Sequence, residues 1–240
     1  MAERIDDIGF GGFRLIQDTS SFCYGVDAVL LADFCRLQRC DRVAELGCGN
    51  GVIPLIIEAK YSPASIVGFE LQKCAAQLAS RNVELNGLSG KISVINDDIL
   101  NVSAHFPPES FDAVVCNPPY FEQGSGPANA DSSKFLARYE SSACLSDFFT
   151  AASYLLRSNG KFYMIHRPSR LVDILSLTRE SGLEAKQLRP VAAKPGCAVN
   201  MLLISFVKGG KPELSVLPEL DIRDTEGNYT PELQRIYGRA

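Results

Sequence analysis

Short apolar runs and helix-like stretches alternate along most of the chain. The short runs hold four to seven mainly apolar residues and end at glycine or polar residues, a pattern typical of buried strands. They predict seven strands, at residues 43–46, 66–69, 92–95, 113–116, 161–165, 185–188 and 201–207.

Helical periodicity fills several connections between these strands. From Leu71 the apolar positions are 71, 74, 75, 78 and 79, one face of a helix that Asn86-Gly87 ends. Three further helices are predicted, at residues 52–59, 148–160 and 171–182. Strands and helices that alternate with short connections predict an α/β fold, with a seven-stranded, mostly parallel sheet and helices on both faces.

Ligands of such sheets bind beyond the carboxyl ends of the strands, so the loops there are the first candidates for a site. The first predicted strand runs into Glu45-Leu46-Gly47-Cys48-Gly49-Asn50-Gly51. Alternate glycines let the backbone turn sharply and bring a ligand close to the following helix. The spacing G-x-G-x-G differs from the dinucleotide pattern G-x-G-x-x-G, which disfavours a nicotinamide cofactor.

Acidic residues end the next two strands. Glu70, followed by Leu71, can accept hydrogen bonds from both hydroxyls of a ribose. The third strand ends in Asn96-Asp97-Asp98-Ile99, where a carboxylate can accept from an adenine amine while Ile99 lies along the ring. Taken singly, the glycine loop is compatible with NAD, FAD or a structural turn, and each acid with a solvated strand end.

In this order, Glu45, the glycines, Glu70 and Asp98 resemble motifs one to three of class I S-adenosylmethionine-dependent methyltransferases. The resemblance implies the class I methyltransferase (Rossmann-like) fold and S-adenosylmethionine as cofactor. The cofactor-binding residues predicted on this basis are Glu45, Gly47, Cys48, Gly49, Asn50, Gly51, Glu70, Leu71, Asp97, Asp98, Ile99 and Asn117.

Candidate catalytic residues follow the fourth strand: Asn117-Pro118-Pro119-Tyr120. A conjugated amine is hardly basic, so methylating it calls for hydrogen-bond acceptors rather than a base. The Asn117 side-chain carbonyl and the Pro118 backbone carbonyl can each accept one N–H and aim the nitrogen lone pair. Pro119 adds rigidity and Tyr120 can stack on a planar substrate. The alternative is a simple turn.

This tetrapeptide resembles motif four of amino-methyltransferases, whose members methylate adenine N6, guanine N2 or the glutamine side-chain amide. The flanking segments resemble the bacterial tRNA-valine adenine-N6-methyltransferase family. They are Phe10-Gly11-Gly12, Gln17, residues 22–32, Ala137-Arg138-Tyr139-Glu140, Ile165-His166-Arg167-Pro168 and Tyr229-Thr230-Pro231-Glu232. Tyr139 departs from the family, which often has His at that position. Methylation of adenine N6 in RNA, most simply tRNA, is the implied activity.

Three other functions stay open: methylation of a protein glutamine, methylation of guanine N2 in rRNA, and non-catalytic RNA binding. Release-factor glutamine methyltransferases carry a helical domain before the glycine loop, for which residues 1–42 leave too little room. The resemblance implies one domain over residues 1–240. Residues 1–42 help to close the pocket, 43–210 form the core and 211–240 a tail. Tyr24 and Asp27 become pocket candidates, against core packing for Tyr24 and a helix cap for Asp27.

The eight cysteines include no C-x-x-C pair, and the chain has only two histidines, His105 and His166, both more typical of structural positions. Free thiols in a reducing, cytoplasmic compartment are therefore expected, with no metal site. The longest nearly apolar run, residues 198–207, is too short to span a membrane, and the acidic N-terminus does not resemble a secretory signal.

The formal net charge of −4 argues against a nucleic-acid partner, but its distribution allows one. Residues 134–211 carry 12 basic and 5 acidic side chains, a net charge of +7, whereas residues 1–133 carry −8 and residues 212–240 carry −3. The residues predicted to contact RNA phosphates are Lys134, Arg138, Arg167, Arg170, Lys186, Arg189 and Lys194.

Overall fold

The computed structural model describes residues 3–18, 24–119 and 143–239. Strands in these ranges are β1 (Glu3–Asp7), β2 (Arg14–Asp18), β3 (Arg42–Leu46), β4 (Ser65–Phe69), β5 (Ile92–Ile95), β6 (Phe111–Cys116), β7 (Leu156–His166), β8 (Leu183–Ala192), β9 (Val199–Lys208), β10 (Ser215–Val216) and β11 (Leu220–Asp221). Helices are α1 (Val26–Phe34), α2 (Val52–Tyr61), α3 (Lys73–Leu85), α4 (Val102–His105), α5 (Leu145–Leu155), α6 (Leu171–Ser181) and α7 (Pro231–Ile236). Two 3₁₀ turns cover Ile99–Asn101 and Pro168–Arg170.

The seven predicted strands are β3 to β9, and they form one sheet in the order β8-β9-β7-β6-β3-β4-β5. Among these seven strands β9 alone runs antiparallel to its neighbours, so the mostly parallel sheet is confirmed. The short strands β10 and β11 each pair in parallel with β8 and were not predicted. The carboxyl ends of β3 to β8 therefore share one edge of the sheet.

Helices cover both faces, as predicted. Successive residues of a strand point to opposite faces, and the two faces hold separate apolar clusters, Val43 in one and Ala44 in the other. The first cluster contains residues of α1, α2, α3, α7 and the β1–β2 hairpin. The second contains residues of α4, α5 and α6.

The β1–β2 hairpin is fastened to the sheet by two asparagines of α3. Asn82 is fully buried, and its side-chain amide both accepts from the Ile16 N–H (2.7 Å) and donates to the Ile16 carbonyl (3.1 Å). One turn later Asn86 makes the same pair of bonds to Arg14, at 2.8 and 2.7 Å. The two amides thus satisfy backbone groups of β2 as a neighbouring strand would. Asn82 also donates to the Asn50 carbonyl (2.9 Å), which ties the hairpin to the glycine loop.

The predicted end of the helix at Gly160 is wrong. α5 stops at Leu155 and β7 begins at the next residue, with Gly160 inside the strand. Pairing of β6 with β7 jumps from Phe111–Leu156 to Ala113–Lys161, so the intervening residues form a bulge. Gly160 is required in that bulge because a Cβ would stand 2.8 Å from the Arg157 carbonyl oxygen. The glycine therefore marks a bulge and not a helix end.

Candidate functional site

The glycine loop and the Asn-Pro-Pro segment leave the sheet side by side. β3 and β6 are adjacent parallel strands, and Leu46 pairs with Cys116 at their ends. The next residues are Gly47 and Asn117, so the predicted cofactor loop and the predicted catalytic segment start from neighbouring positions at the carboxyl edge. This register is the main geometric support for a shared site.

The glycine loop is held against the end of β4. The N–H groups of Gly47 and Cys48 both donate to the Phe69 carbonyl at 2.9 Å. Gly47 has a φ of 78°, a left-handed conformation that favours glycine. A Cβ on Gly47 or on Gly49 would meet no described atom within 4 Å, so the loop backbone is open to a ligand on that side.

Glu70 joins the loops after β3 and β4. Its carboxylate accepts from the Gly49 N–H and from the Gln72 N–H, both at 2.8 Å. Burial raises the pKa of Glu70 above its ordinary value, although hydrogen bonds from the Gln72 and Gly49 backbone lower it. Asn96, at the end of β5, donates to the Glu70 carbonyl at 2.8 Å and so brings the third loop to the same place.

Glu45 is a buried acid with an unsatisfied oxygen. It is 1% exposed, and its Oε2 has no hydrogen-bond partner among the described residues. Burial, and then the charge of Glu70, raise the pKa of Glu45 well above its usual range. A buried polar atom without a partner is costly. Glu45 therefore lies two residues before Gly47 with a hydrogen-bonding capacity that the described residues do not satisfy.

The residues predicted to lie around the adenine, Asp97, Asp98 and Ile99, differ in what they contact, and Leu71, another predicted cofactor residue, is compared with them. The pKa of Asp97 falls to about 2 because its carboxylate accepts from the Asn101 side chain and pairs with His105 at 2.7 Å. Asp98 accepts from the Leu100 N–H at 3.0 Å and begins the first 3₁₀ turn. Ile99 is 6% exposed and belongs to the core, whereas Leu71 is 38% exposed. Leu71 is thus better exposed than Ile99 for contact with a ring.

Asn117 reaches α1 through its side chain. Its Nδ2 donates to Oδ2 of Asp27 at 3.1 Å. The helix-cap alternative for Asp27 is wrong, since Gly25, and not Asp27, is the N-cap of α1. Pro118 is buried and Pro119 half-buried, while Tyr120 lies outside the described residues.

Basic residues predicted to contact RNA are not all in one place. Arg167 follows β7 and Lys194 follows β8, both exposed and at the carboxyl edge. Three others are held by the protein: Arg170 pairs with Asp173 (2.8 Å), Arg189 pairs with Glu232 (2.6 Å), and Lys186 donates to the Lys211 carbonyl (2.8 Å). Lys186 also lies toward the opposite edge of the sheet, near the end of β9. Lys134 and Arg138 lie outside the described residues.

A family model described as "Methyltransferase small domain" matches residues 25–176. The chain belongs to the methyltransferase small domain family. Two curated relatives are tRNA1(Val) (adenine(37)-N6)-methyltransferases, of Yersinia pseudotuberculosis (strain YPIII) and Yersinia pestis (strain Pestoides F). Each is 30% identical over 226 residues, which are 93% of this chain and 87% or 88% of the relative.

Solved structures agree with the family. A predicted O-methyltransferase from Agrobacterium tumefaciens is 25% identical, with a TM-score of 0.73 over 89% of this chain and 97% of its own. TYW2 of P. horikoshii in complex with MeSAdo is 14% identical, with a TM-score of 0.61 over 87% and 72% of the two chains, and shows the fold alone. The class I methyltransferase fold is confirmed, the protein is a methyltransferase, and S-adenosylmethionine is its cofactor.

Several described groups of the methyltransferase fit this cofactor. Its open glycine loop, the unsatisfied Oε2 of Glu45 and the carboxylate of Glu70 meet at one edge of the sheet. Within the described ranges no helix is long and apolar enough to cross a membrane. In the same ranges no group of His, Cys, Asp and Glu is arranged to hold a metal ion.

Proposed function

We propose that the methyltransferase transfers a methyl group from S-adenosylmethionine to the exocyclic N6 amine of an adenine in tRNA. The observation that carries the proposal is the pairing of Leu46 with Cys116, which places Asn117 next to the glycine loop. The names of relatives that align over 93% of the chain support adenine N6 and tRNA as the target.

The predicted cofactor residues contact different parts of S-adenosylmethionine. Glu70 accepts from the ribose hydroxyls, Leu71 and Asp98 contact the adenine, and the backbone from Gly47 to Gly51 follows the chain toward the methionine end. Glu45 supplies its unsatisfied oxygen from beneath the loop. Asp97 acts through Asn101 and His105 and holds the shape of the loop after β5. When bound, S-adenosylmethionine supplies an electrophilic methyl group on a sulfonium.

Asn117 and Pro118 receive the target amine. The Asn117 Oδ1 and the Pro118 carbonyl each accept one N–H, which orients the nitrogen lone pair and stabilises the positive charge that develops there. Pro118 and Pro119 fix their own φ angles and keep these acceptors in place. Tyr120 stacks on the face of the extruded base.

We propose that Arg167 and Lys194 make the main RNA contacts, because both are exposed at the carboxyl edge. Lys134 and Arg138 remain part of the proposal. Residues 1–42 help to close the pocket, through α1 and the hairpin that Asn82 ties to the glycine loop.

A comparison of methyl acceptors tests the proposal. The purified protein is incubated with labelled S-adenosylmethionine and, separately, with unmodified tRNA, rRNA and a release-factor protein. We expect label in tRNA, and nucleoside mass spectrometry to identify it as N6-methyladenosine. Label in the protein would instead assign a glutamine methyltransferase, and N2-methylguanosine in rRNA a guanine methyltransferase. Tight tRNA binding without transfer would favour a non-catalytic module.

A further inference from the structure

The carboxylate of Asp27 is hydrogen-bonded to a residue 90 positions later in the chain. It lies in the first turn of α1, whose N-cap is Gly25, and its Oδ2 accepts a hydrogen bond from the Asn117 Nδ2 at 3.1 Å. We propose that Asp27 is a positioning residue for methyl transfer, which fixes the orientation of the Asn117 amide. This inference rests on the proposed role of Asn117 as an acceptor for the target amine.

The chemistry of the two groups decides the orientation. The two ends of an asparagine amide have nearly the same shape, but only the oxygen can accept an N–H. An ionised carboxylate can only accept, so Asp27 requires that Nδ2 face it. Oδ1 is then turned away from Asp27. Without this partner, rotation of the amide can present the NH₂ group to the target amine, and two donors would face each other.

The same contact strengthens Oδ1 as an acceptor. A hydrogen bond from Nδ2 to an anion polarises the amide and increases the negative charge on its oxygen. Positive charge develops on the amine nitrogen as the methyl group is transferred. Asp27 therefore stabilises the transition state more than bound substrate, and its effect is expected in kcat rather than KM.

Gly25 leaves room for this carboxylate. A Cβ on Gly25 would stand 2.7 Å from Oδ1 of Asp27, closer than atoms in contact approach. The backbone of Gly25 has φ −106° and ψ −176°, an extended conformation that any residue can adopt. The absence of a side chain is thus explained by the space that Asp27 occupies and not by backbone geometry.

α1 is a rigid support for Asp27. Residues Ala28 to Ala32 are buried at 3% exposure or less. Before the helix, the Tyr24 N–H donates to Oε1 of Gln17 in β2 at 3.2 Å. A carboxylate on such an element is held in place before substrate arrives, as positioning requires.

Steady-state kinetics of Asp27→Asn and Asp27→Ala test the proposal. Both substitutions should lower kcat about 10-fold or more, with KM for tRNA and the Kd for cofactor changed less than about 2-fold. The isosteric Asp27→Asn should do no better than Asp27→Ala, because its amide can donate to Oδ1 and hold Asn117 reversed. Asp27→Glu, which keeps the carboxylate, should recover part of the loss. Gly25→Ala should also lower kcat, because its Cβ would displace the Asp27 carboxylate although Asp27 itself is still present.

Two controls separate positioning from folding and from the proposed function. Asp33→Asn removes an acid at the far end of the same helix, where it pairs with Lys60 of α2 at 2.9 Å, and should lower the melting temperature while kcat stays unchanged. In NMR spectra the side-chain NH₂ resonance of Asn117, identified by its loss in Asn117→Ala, should shift in Asp27→Ala without cofactor or substrate present. Unchanged kcat and an unshifted resonance in Asp27→Ala would overturn the positioning role. Full activity of Asn117→Ala would overturn the proposed function itself.

Discussion

The carboxylate of Glu70 accepts a hydrogen bond from the backbone N–H of Gly49 at 2.8 Å, across the gap between the loops after β4 and β3. This hydrogen bond joins two segments that are separate in the chain. In the proposed complex Glu70 holds the ribose while the loop holds the rest of the cofactor. The hydrogen bond between Glu70 and Gly49 favours a single arrangement of the two loops, and such preorganisation limits the entropy that binding must overcome.

Replacing Glu70 with Gln should weaken cofactor binding. The variant loses the negative charge, and its amide places an NH₂ group where either Gly49 or Gln72 needs an acceptor. Hydrogen bonds to charged groups contribute about 1.5–3 kcal/mol, so the Kd should rise about 10- to 100-fold. Titration calorimetry with S-adenosylmethionine measures this. Glu84→Gln, an exposed acid on α3, is the matched control, and an equal Kd in both variants would contradict the role of Glu70.

Replacing Asn82 with Ala should destabilise the whole protein. The substitution leaves the buried N–H and carbonyl of Ile16 and the Asn50 carbonyl without partners. Each unsatisfied buried group costs about 1–3 kcal/mol, so we expect the free energy of unfolding to fall by at least about 2 kcal/mol. Asn86→Ala breaks an equivalent pair nearer to solvent and should cost less than about 1 kcal/mol. Equal losses in urea unfolding would contradict this account of the hairpin.

His166 makes stability depend on pH. Burial, and then the charge of Arg170, lower its pKa from 6.5 to about 4, so the unfolded chain takes up this proton before the folded protein does. Stability is therefore lost as the pH falls from about 6.5 to about 4, by roughly 3–4 kcal/mol at most from this residue. His166→Asn keeps an acceptor for the Arg167 N–H and does not titrate. Urea unfolding between pH 7 and pH 4 should show a smaller loss in that variant, and parallel curves would disprove the assignment.

The sequence predicts the sheet well because the apolar runs of β3, β4, β6, β7 and β9 are buried at nearly every residue, whereas β5 and β8 are partly exposed. The glycine loop, Glu70 and Asn117 were found for a related reason, since they follow those runs directly. The hairpin was missed because β1 is polar and largely exposed and because α3, far along the chain, supplies partners for β2. Gly9-Phe10-Gly11-Gly12 was the one local signal of a turn there.

Side-chain partners were the least predictable part. α1 is apolar on nearly all sides, so it shows no helical periodicity, and nothing local links Asp27 to Asn117. Arg189 was predicted to contact RNA, but its guanidinium pairs with Glu232 of α7, a segment distant in the chain. Ile99 follows a strand end as a ligand contact would, yet it packs into the core. Such contacts depend on how distant segments fold together, which residue order alone does not reveal.

Charge reversal at Arg167 and Lys194 should weaken tRNA binding. Each residue is exposed at the carboxyl edge, so each substitution should reduce the slope of log K against log salt concentration by about 1. Arg179→Glu, exposed near the end of α6 at the opposite edge, is the control and should change neither affinity nor slope. Filter binding across a salt series measures both quantities. An equal effect at Arg179 would show that the contact surface lies elsewhere.

Transfer of a methyl group to adenine N6 with Asn117 as acceptor is the central claim. Its most direct test is single-turnover methylation of unmodified tRNA, with digestion to nucleosides and mass spectrometry, by the wild-type protein and by Asn117→Ala at matched cofactor saturation. The wild-type protein should form N6-methyladenosine, and the variant should form about 100-fold less or none while it binds the cofactor with unchanged affinity. Equal yields from the two proteins, or a methylated nucleoside other than N6-methyladenosine, would contradict the claim.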